Sequence, residues 1–221
     1  MIVAIDGPAG SGKGTVTKVI AGRMGLINLD TGATYRCVAL EALRRGVTLE
    51  EKEKIVELVD DLNIEFKHEN DFIRVFLNGK DVTSEIRSIE VTKIVSQISS
   101  IVPVRLKMVD LQRKMAEGKD VIMEGRDIGT YVFPNADIKI YLDADVEERA
   151  KRRYKENMEK GINTSYEEVI ENIKIRDEND KNKEIGALRV AKDAIIVDST
   201  KMTIEEMADK VEEIINKKWE R

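Results

Sequence analysis

An apolar run, Met1-Ile-Val-Ala-Ile5, leads within two residues into Gly7-Pro-Ala-Gly-Ser-Gly-Lys-Gly-Thr15. A short continuous apolar segment bounded by glycine reads as a strand buried on both faces. The glycine-rich turn lets backbone N–H groups approach an anion with no Cβ in the way. Val16-Thr-Lys-Val-Ile-Ala21 then continues as a helix whose N-terminus faces the turn, and its aligned dipoles favour negative charge there. Strand, loop and helix in this order constrain the chain to an α/β architecture with an anion at the loop.

Gly7, Pro8, Ala9, Gly10, Ser11, Gly12, Lys13, Gly14 and Thr15 are therefore the candidate cradle for a nucleoside triphosphate. Lys13 is placed to reach the β- and γ-phosphates, and Thr15 to offer its hydroxyl to Mg²⁺. The pattern G-x-x-x-x-G-K-[ST] holds from Gly7 to Lys13, but Gly14 follows and the hydroxyl arrives one residue late. That variant is typical of small-molecule kinases rather than GTPase switches, and the chain has no N-K-x-D motif for guanine.

The chain has 221 residues, 36% of them charged, with a formal net charge of −5. That acidic balance argues against a dedicated nucleic-acid or anionic-membrane binder, whose affinity rests on clustered basic charge. No apolar run approaches a membrane span, and the N-terminus opens on a strand rather than a secretion signal, so a cytoplasmic monomer is expected. The one cysteine, Cys37, excludes an internal disulfide and reads as a small core residue in a helix. The one histidine, His68, lies in the polar stretch Lys67-His-Glu-Asn-Asp71 and reads as a solvated loop residue. Phosphate chemistry needs no histidine.

Ile2–Ile5, Val121–Met123, Ile138–Leu142 and Ile195–Val197 read as buried parallel strands, with Ile27–Leu29 a short fifth. Helical patterns cover Gly14–Met24, Thr34–Arg45, Leu49–Leu62, Ser88–Ser100, Val104–Glu117, Val146–Lys160, Tyr166–Asn179 and Ile204–Trp219. Ile64-Glu-Phe66 and Phe72-Ile-Arg-Val-Phe76 alternate in strand fashion, and Leu77-Asn-Gly-Lys80 signals a hairpin turn. The expected fold is an α/β three-layer sandwich around a central parallel sheet. One domain over 1–221 is expected, with core 1–30, 106–150 and 166–221, a small α+β insertion over 31–105, and a lid over 151–165.

Transfer of a phosphoryl group to a second anion calls for arginines beyond the phosphate loop, because guanidinium forks match phosphate oxygens. Arg36 follows Asp30-Thr-Gly-Ala-Thr-Tyr35 at the end of a strand, where parallel sheets place ligands. Arg126 and Asp127 lie between glycines in Glu124-Gly-Arg-Asp-Ile-Gly129, directly after another strand. Glu124 stands where an acidic residue orients Mg²⁺ or its water, or makes a strand-end turn contact. Asp143 ends a third strand and reads as a helix N-cap. Arg149, Arg152 and Arg153 form either a charged helix face or a lid over the donor, and Arg176-Asp177 either a solvated helix end or a phosphate clamp.

Together these segments resemble the bacterial cytidylate kinase family, one of the nucleoside monophosphate kinases. The likeness rests on Ile5–Thr15, Leu29-Asp-Thr-Gly-Ala-Thr-Tyr-Arg36, Ser96-Gln-Ile98, Val104-Arg105, Glu124-Gly-Arg-Asp-Ile-Gly-Thr130, Val132-Phe-Pro134, Lys139–Ala144, Glu148–Arg153, Arg176-Asp177 and Asp198-Ser-Thr200. It implies transfer of the ATP γ-phosphoryl group to CMP, and to dCMP, with the insertion as the monophosphate-binding region. It further implies that Arg36 contacts the CMP phosphate, with Thr31 standing where the family also accepts serine. Ser96, Arg105 and Asp127 fall where the family contacts cytosine and sugar, and Arg176 matches an arginine that moves with the lid. Lys13, Arg36, Arg126 and Arg176 are the candidate catalytic set, and the acceptor-binding set is Thr31, Arg36, Ser96, Arg105, Arg126, Asp127 and Arg176. The chain departs from the family pattern at Lys183, where arginine is usual, at Gly186-Ala-Leu188, where proline precedes leucine, and at Thr34, which replaces methionine or isoleucine.

Overall fold

The computed structural model describes residues 1–69, 72–159 and 161–219. Asn70, Asp71 and Lys160, which fall within the polar stretch and the helix expected from sequence, lie outside the described residues. The chain divides into two compact units, one of Met1–Ile27 with Lys119–Arg221 and the other of Asn28–Gly118, which takes in the segment 31–105.

The first unit is built on parallel strands. β1 (Ile2–Asp6) pairs with β6 (Val121–Gly125) on one side and β7 (Ile138–Asp143) on the other, and β7 pairs with β8 (Ile195–Asp198). The five-stranded sheet has the order β2-β6-β1-β7-β8, with β2 at Ile27–Asp30. β1 holds the centre, so its residues are buried on both faces, which is why its sequence runs apolar without alternation. The helices α1 (Lys13–Met24), α6 (Val146–Glu159), α7 (Tyr166–Lys181) and α8 (Ile204–Trp219) belong to this unit. Val3, Ile5, Val16, Ile20, Ile122, Ile140, Val211 and Ile215 pack into one buried core. Arg23 of α1 pairs with Glu205, Asp209 and Glu212 of α8, tying the two helices across their exposed faces.

The second unit combines α2 (Thr31–Arg44), α3 (Lys52–Asp60), α4 (Ile89–Ile98) and α5 (Val102–Ala116) with an antiparallel sheet. That sheet is β3 (Ile64–Glu69), β4 (Phe72–Leu77) and β5 (Lys80–Asp81). The Asn-Gly signal is met: Leu77 faces Lys80 across a two-residue turn with Asn78 at φ 50° and Gly79 at φ 78°, the geometry of a type I′ hairpin. Cys37, Val38, Ile55, Leu77, Ile86, Val91, Ile98 and Val104 share its core. Burial pushes the Cys37 thiol up to about 12, with Asp30 adding to the effect, so it is an inert core residue as expected.

Several expectations need correction. His68 is not in a loop; it lies in β3, opposite Ile73 of β4. α2 begins at Thr31 rather than Thr34, because the Asp30 carboxylate accepts from the Ala33 N–H and caps the helix there. α3 begins at Lys52 rather than Leu49, because Glu51 leaves helical geometry at φ −89° and ψ 54°. Asp143 ends β7, its carboxylate accepting from the Ala144 N–H, while α6 starts only at Val146. Among the described residues no helix is long and apolar enough to cross a membrane.

Candidate active site

The phosphate loop leaves the C-terminal end of the central strand, where parallel α/β sheets place ligands. Its opening is sterically restricted: a Cβ on Gly7 would lie 2.1 Å from the Leu142 carbonyl oxygen of β7. Within the loop, Lys13 donates from Nζ to the Pro8 carbonyl at 2.7 Å and to Ser11 Oγ at 3.3 Å, so its amine curls over the glycine-rich turn. Burial first, and the Arg126 guanidinium second, push the Lys13 ammonium down to about 7, against the opposing pull of Glu124. The Thr15 side chain stands exposed in the first turn of α1.

At Gly14 the Glu124 side chain comes close. A Cβ at that position would lie 2.8 Å from Glu124 Oε1, so the carboxylate at the end of β6 occupies the space that a side chain at position 14 would need. Register sets this neighbourhood, since Ile5 faces Glu124 and Asp6 faces Gly125 across the β1–β6 ladder.

Beyond Gly125 the chain turns through Arg126 and Asp127 into one turn of π-helix, Ile128–Val132, in which the Val132 N–H donates to the Asp127 carbonyl at 3.0 Å. Such turns are rare and concentrate at functional sites. Asp127 is buried. Arg126 donates from Nε to Asp180 Oδ2 at 2.7 Å, and Lys183 donates from Nζ to Asp180 Oδ1 at 2.8 Å. Burial alone would raise the Asp180 carboxyl, but Arg126, Lys183 and Arg176 together hold it well below the usual carboxylate range.

The three α6 arginines differ from one another. Arg149 is neither a solvated face nor a lid side chain; it is buried, donating to the Ala144 carbonyl at 2.9 Å, the Ala9 carbonyl at 3.0 Å and Asp177 Oδ2 at 2.7 Å. It therefore braces the phosphate loop from behind. Arg152 donates to the Ser199 carbonyl at 2.6 Å, and Ser199 Oγ donates to the Ser11 carbonyl at 3.0 Å, a second brace on the same loop. Arg153 pairs with Glu156 one turn along its own helix. Arg176 and Asp177 sit inside α7, not at its end, because the helix runs on to Lys181.

In the second unit, Thr31 is buried at the first turn of α2, and its carbonyl accepts from Thr34 Oγ1 at 2.7 Å. Gln112 of α5, also buried, donates from Nε2 to Thr34 Oγ1 at 2.9 Å. Arg36 donates from Nη1 to the Ile86 carbonyl at 3.1 Å and to Thr92 Oγ1 at 2.9 Å. Arg105 is buried, with its guanidinium 5.5 Å from the Tyr35 ring centre and Nη1 donating to the Ser99 carbonyl. That placement combines cation–π attraction with one directed bond. Ser96 lies one helical turn before Ser99, its carbonyl accepting from Ser99 Oγ and its own hydroxyl buried.

The cytidylate kinase profile matches residues 3–217. The chain belongs to the cytidylate kinase family. It is 49% identical over 218 residues to a cytidylate kinase of Lactobacillus gasseri, covering 99% of this chain and 95% of that one. It is 47% identical over 215 residues to one of Caldicellulosiruptor bescii, covering 97% and 95%, and 46% identical over 216 residues to one of Bacillus subtilis, covering 98% and 96%. Among solved structures, an uncharacterized protein from Eubacterium ventriosum superposes with a TM-score of 0.51 at 13% identity, covering 98% of both chains. That match shows a shared fold alone.

Within this cytidylate kinase family member, the first unit gathers the phosphate loop, Lys13, Glu124, Arg126, Asp127 and Arg176. The second holds Thr31, Arg36, Ser96 and Arg105. Sequence reasoning passed over three residues. Asp6 is buried at the end of β1, and its two carboxylate oxygens each accept a backbone N–H, from Ile128 and Gly129, both at 2.8 Å. Burial raises its carboxyl to about 6 even though both hydrogen bonds oppose that rise. Asp180 and Gln112 are the other two. The one available signal was a charged or amide residue inside an otherwise apolar or helical run.

Proposed function

We propose that this protein transfers the γ-phosphoryl group of ATP to CMP, and to dCMP, giving ADP and the corresponding diphosphate. The observation that carries the reading is one neighbourhood at the C-terminal ends of β1 and β6. There the lysine-bearing phosphate loop sits beside Glu124, Arg126 and Asp127, in a chain of the cytidylate kinase family. Residues 7–15 cradle the triphosphate of ATP. Lys13 and Arg126 take up the charge that develops on the transferred group, and Arg176 adds to it. A CMP phosphate oxygen is already a nucleophile, so the in-line displacement needs no protein base.

In the second unit, Arg36 binds the acceptor phosphate and Thr31 supports it, while Ser96 and Arg105 bind the acceptor nucleoside. Asp127 contributes a carboxylate that accepts from the cytosine amino group. The donor set near Gly14 suits Mg²⁺: an exposed Thr15 hydroxyl and the Glu124 carboxylate are hard oxygen ligands. Bound there, the ion would neutralise phosphate charge, with Thr15 as its direct ligand and Glu124 ordering its water. The protein works as a cytoplasmic monomer on small-molecule substrates, without nucleic acid or membrane, consistent with its net charge of −5.

The test is a coupled ADP-release assay with CMP, dCMP, UMP and AMP as acceptors. Turnover with CMP and dCMP far above that with AMP is expected. Equal turnover with all four, or hydrolysis of ATP without any acceptor, would overturn the reading.

A further inference from the structure

The mechanism above assigns no role to Asp6, although its burial is costly. A carboxylate placed where no water reaches it must be matched by hydrogen bonds or it destabilises the fold. Here the match is specific. Oδ1 accepts from the Ile128 N–H and Oδ2 from the Gly129 N–H. These are the first two N–H groups of the π-helical turn Ile128–Val132, which have no acceptor within the turn itself. Asp6 thus caps, from another strand, the turn that begins immediately after Arg126 and Asp127.

The position of Asp6 in its own strand adds a second constraint. It is the last residue of β1, in register with Gly125 on β6 and adjacent to Gly7, the first residue of the phosphate loop. A single carboxylate at the end of β1 therefore anchors the path of the chain beyond β6. A purely structural plug at this point would be better made by an apolar side chain, as at Ala4 and Ile5 in the same strand, both fully buried.

We propose that Asp6 is a positioning residue for the phosphoryl acceptor. By holding the Ile128 and Gly129 N–H groups, it fixes the direction in which Arg126 and Asp127 leave β6. Asparagine is nearly isosteric but accepts at one atom only, so its amide nitrogen would face an N–H and release half of the clamp. The inference rests on the CMP kinase reading, and the experiment separates the two. Wild type and Asp6→Asn are assayed side by side with CMP and ATP varied in turn, and melting temperatures are measured for both.

The expected result is a loss of about tenfold or more in kcat/KM for CMP, with the KM for ATP within about twofold of wild type. Asp6→Glu, which keeps both acceptors, should recover part of the loss. A D6N enzyme with unchanged kcat and KM for CMP would overturn the proposal, as would an equal loss toward ATP and CMP. A wild-type enzyme that does not use CMP would instead remove the underlying reading. Should D6N fail to fold, amide exchange in the wild type still decides: slow exchange at both Ile128 and Gly129 is expected, and fast exchange at both sinks the clamp.

Discussion

Lys183 donates to Oδ1 of Asp180 at 2.8 Å, while Arg126 occupies the other oxygen of the same carboxylate at 2.7 Å. The side chains of Lys183 and Asp180 are each only 4% exposed. Asp180 thus fixes two cations, one of which stands beside the phosphate loop. A lysine here carries a positive charge but offers a point contact where arginine would offer a planar fork. In this chain that contact is used internally, on Asp180.

Removing the shared anion should be severe. Asp180→Asn removes the buried anion that Arg126 and Lys183 share, and a destabilisation of about 3 kcal/mol is expected by chemical denaturation. The sign with pH follows from the depressed Asp180 carboxyl. Its contribution is present above the ordinary value of 3.8 and is lost as pH falls toward the folded value. The difference between wild type and D180N should therefore narrow once the pH drops below that ordinary value. A gap that stays constant into acid would show that the ion triad is not its source.

Lys13 carries a second pH signature. Its ammonium is pushed down by burial and by Arg126, so part of the amine is neutral in mildly alkaline solution. The negative charge of a bound triphosphate reverses that balance. Binding ATP near pH 8 should accordingly take up a fraction of a proton per site, read by calorimetry in buffers of different ionisation enthalpy. In Lys13→Met the uptake should vanish and turnover should fall by at least about a hundredfold, with the fold retained. Near-wild-type turnover in this variant would refute the role of Lys13.

Arg149 tests whether the phosphate loop is held from behind. Its guanidinium joins the Ala9 carbonyl to Asp177 on α7. Arg149→Met should cost about 3 kcal/mol in stability, because Asp177 is left buried without its partner. It should also raise the KM for ATP more than that for CMP. Arg153→Met, which loses only a half-exposed pair with Glu156, should change stability by less than about 1 kcal/mol. Similar losses for the two variants would show that the buried Arg149–Asp177 pair contributes no more than a surface pair.

These residues also mark where the sequence stops being readable. β1 shows in the chain because burial on both faces leaves its interior no polar position, whereas β8 shows only as an apolar run and, against expectation, leaves Ile195 and Ile196 exposed at the sheet's edge; the phosphate loop shows because glycine spacing is a local requirement. Arg149, Arg152 and Arg153 look alike at helical spacing. Only the third dimension brings Ala9, 140 residues away, against the first of them. Asp6 reads as a strand's last polar residue until its partners, 122 and 123 residues on, are seen. The start of α2 was misplaced for a smaller reason, since Asp30-Thr-Gly resembles a turn until the Asp30 carboxylate is found capping the helix.

Gln112 and Thr34 of the second unit offer the last test. Gln112 Nε2 donates to Thr34 Oγ1, which in turn donates to the Thr31 carbonyl, so the first turn of α2 is pinned to α5. Thr34→Val would strand a buried amide donor and should raise the KM for CMP by about fivefold. Gln112→Leu removes the donor from the other side and should act in the same direction. Replacing both at once leaves no unpaired donor, so the double variant should be less impaired than the sum of the two single ones. Strictly additive losses in CMP binding, or a KM for CMP unchanged in all three, would dissolve the link between this bond and the acceptor site.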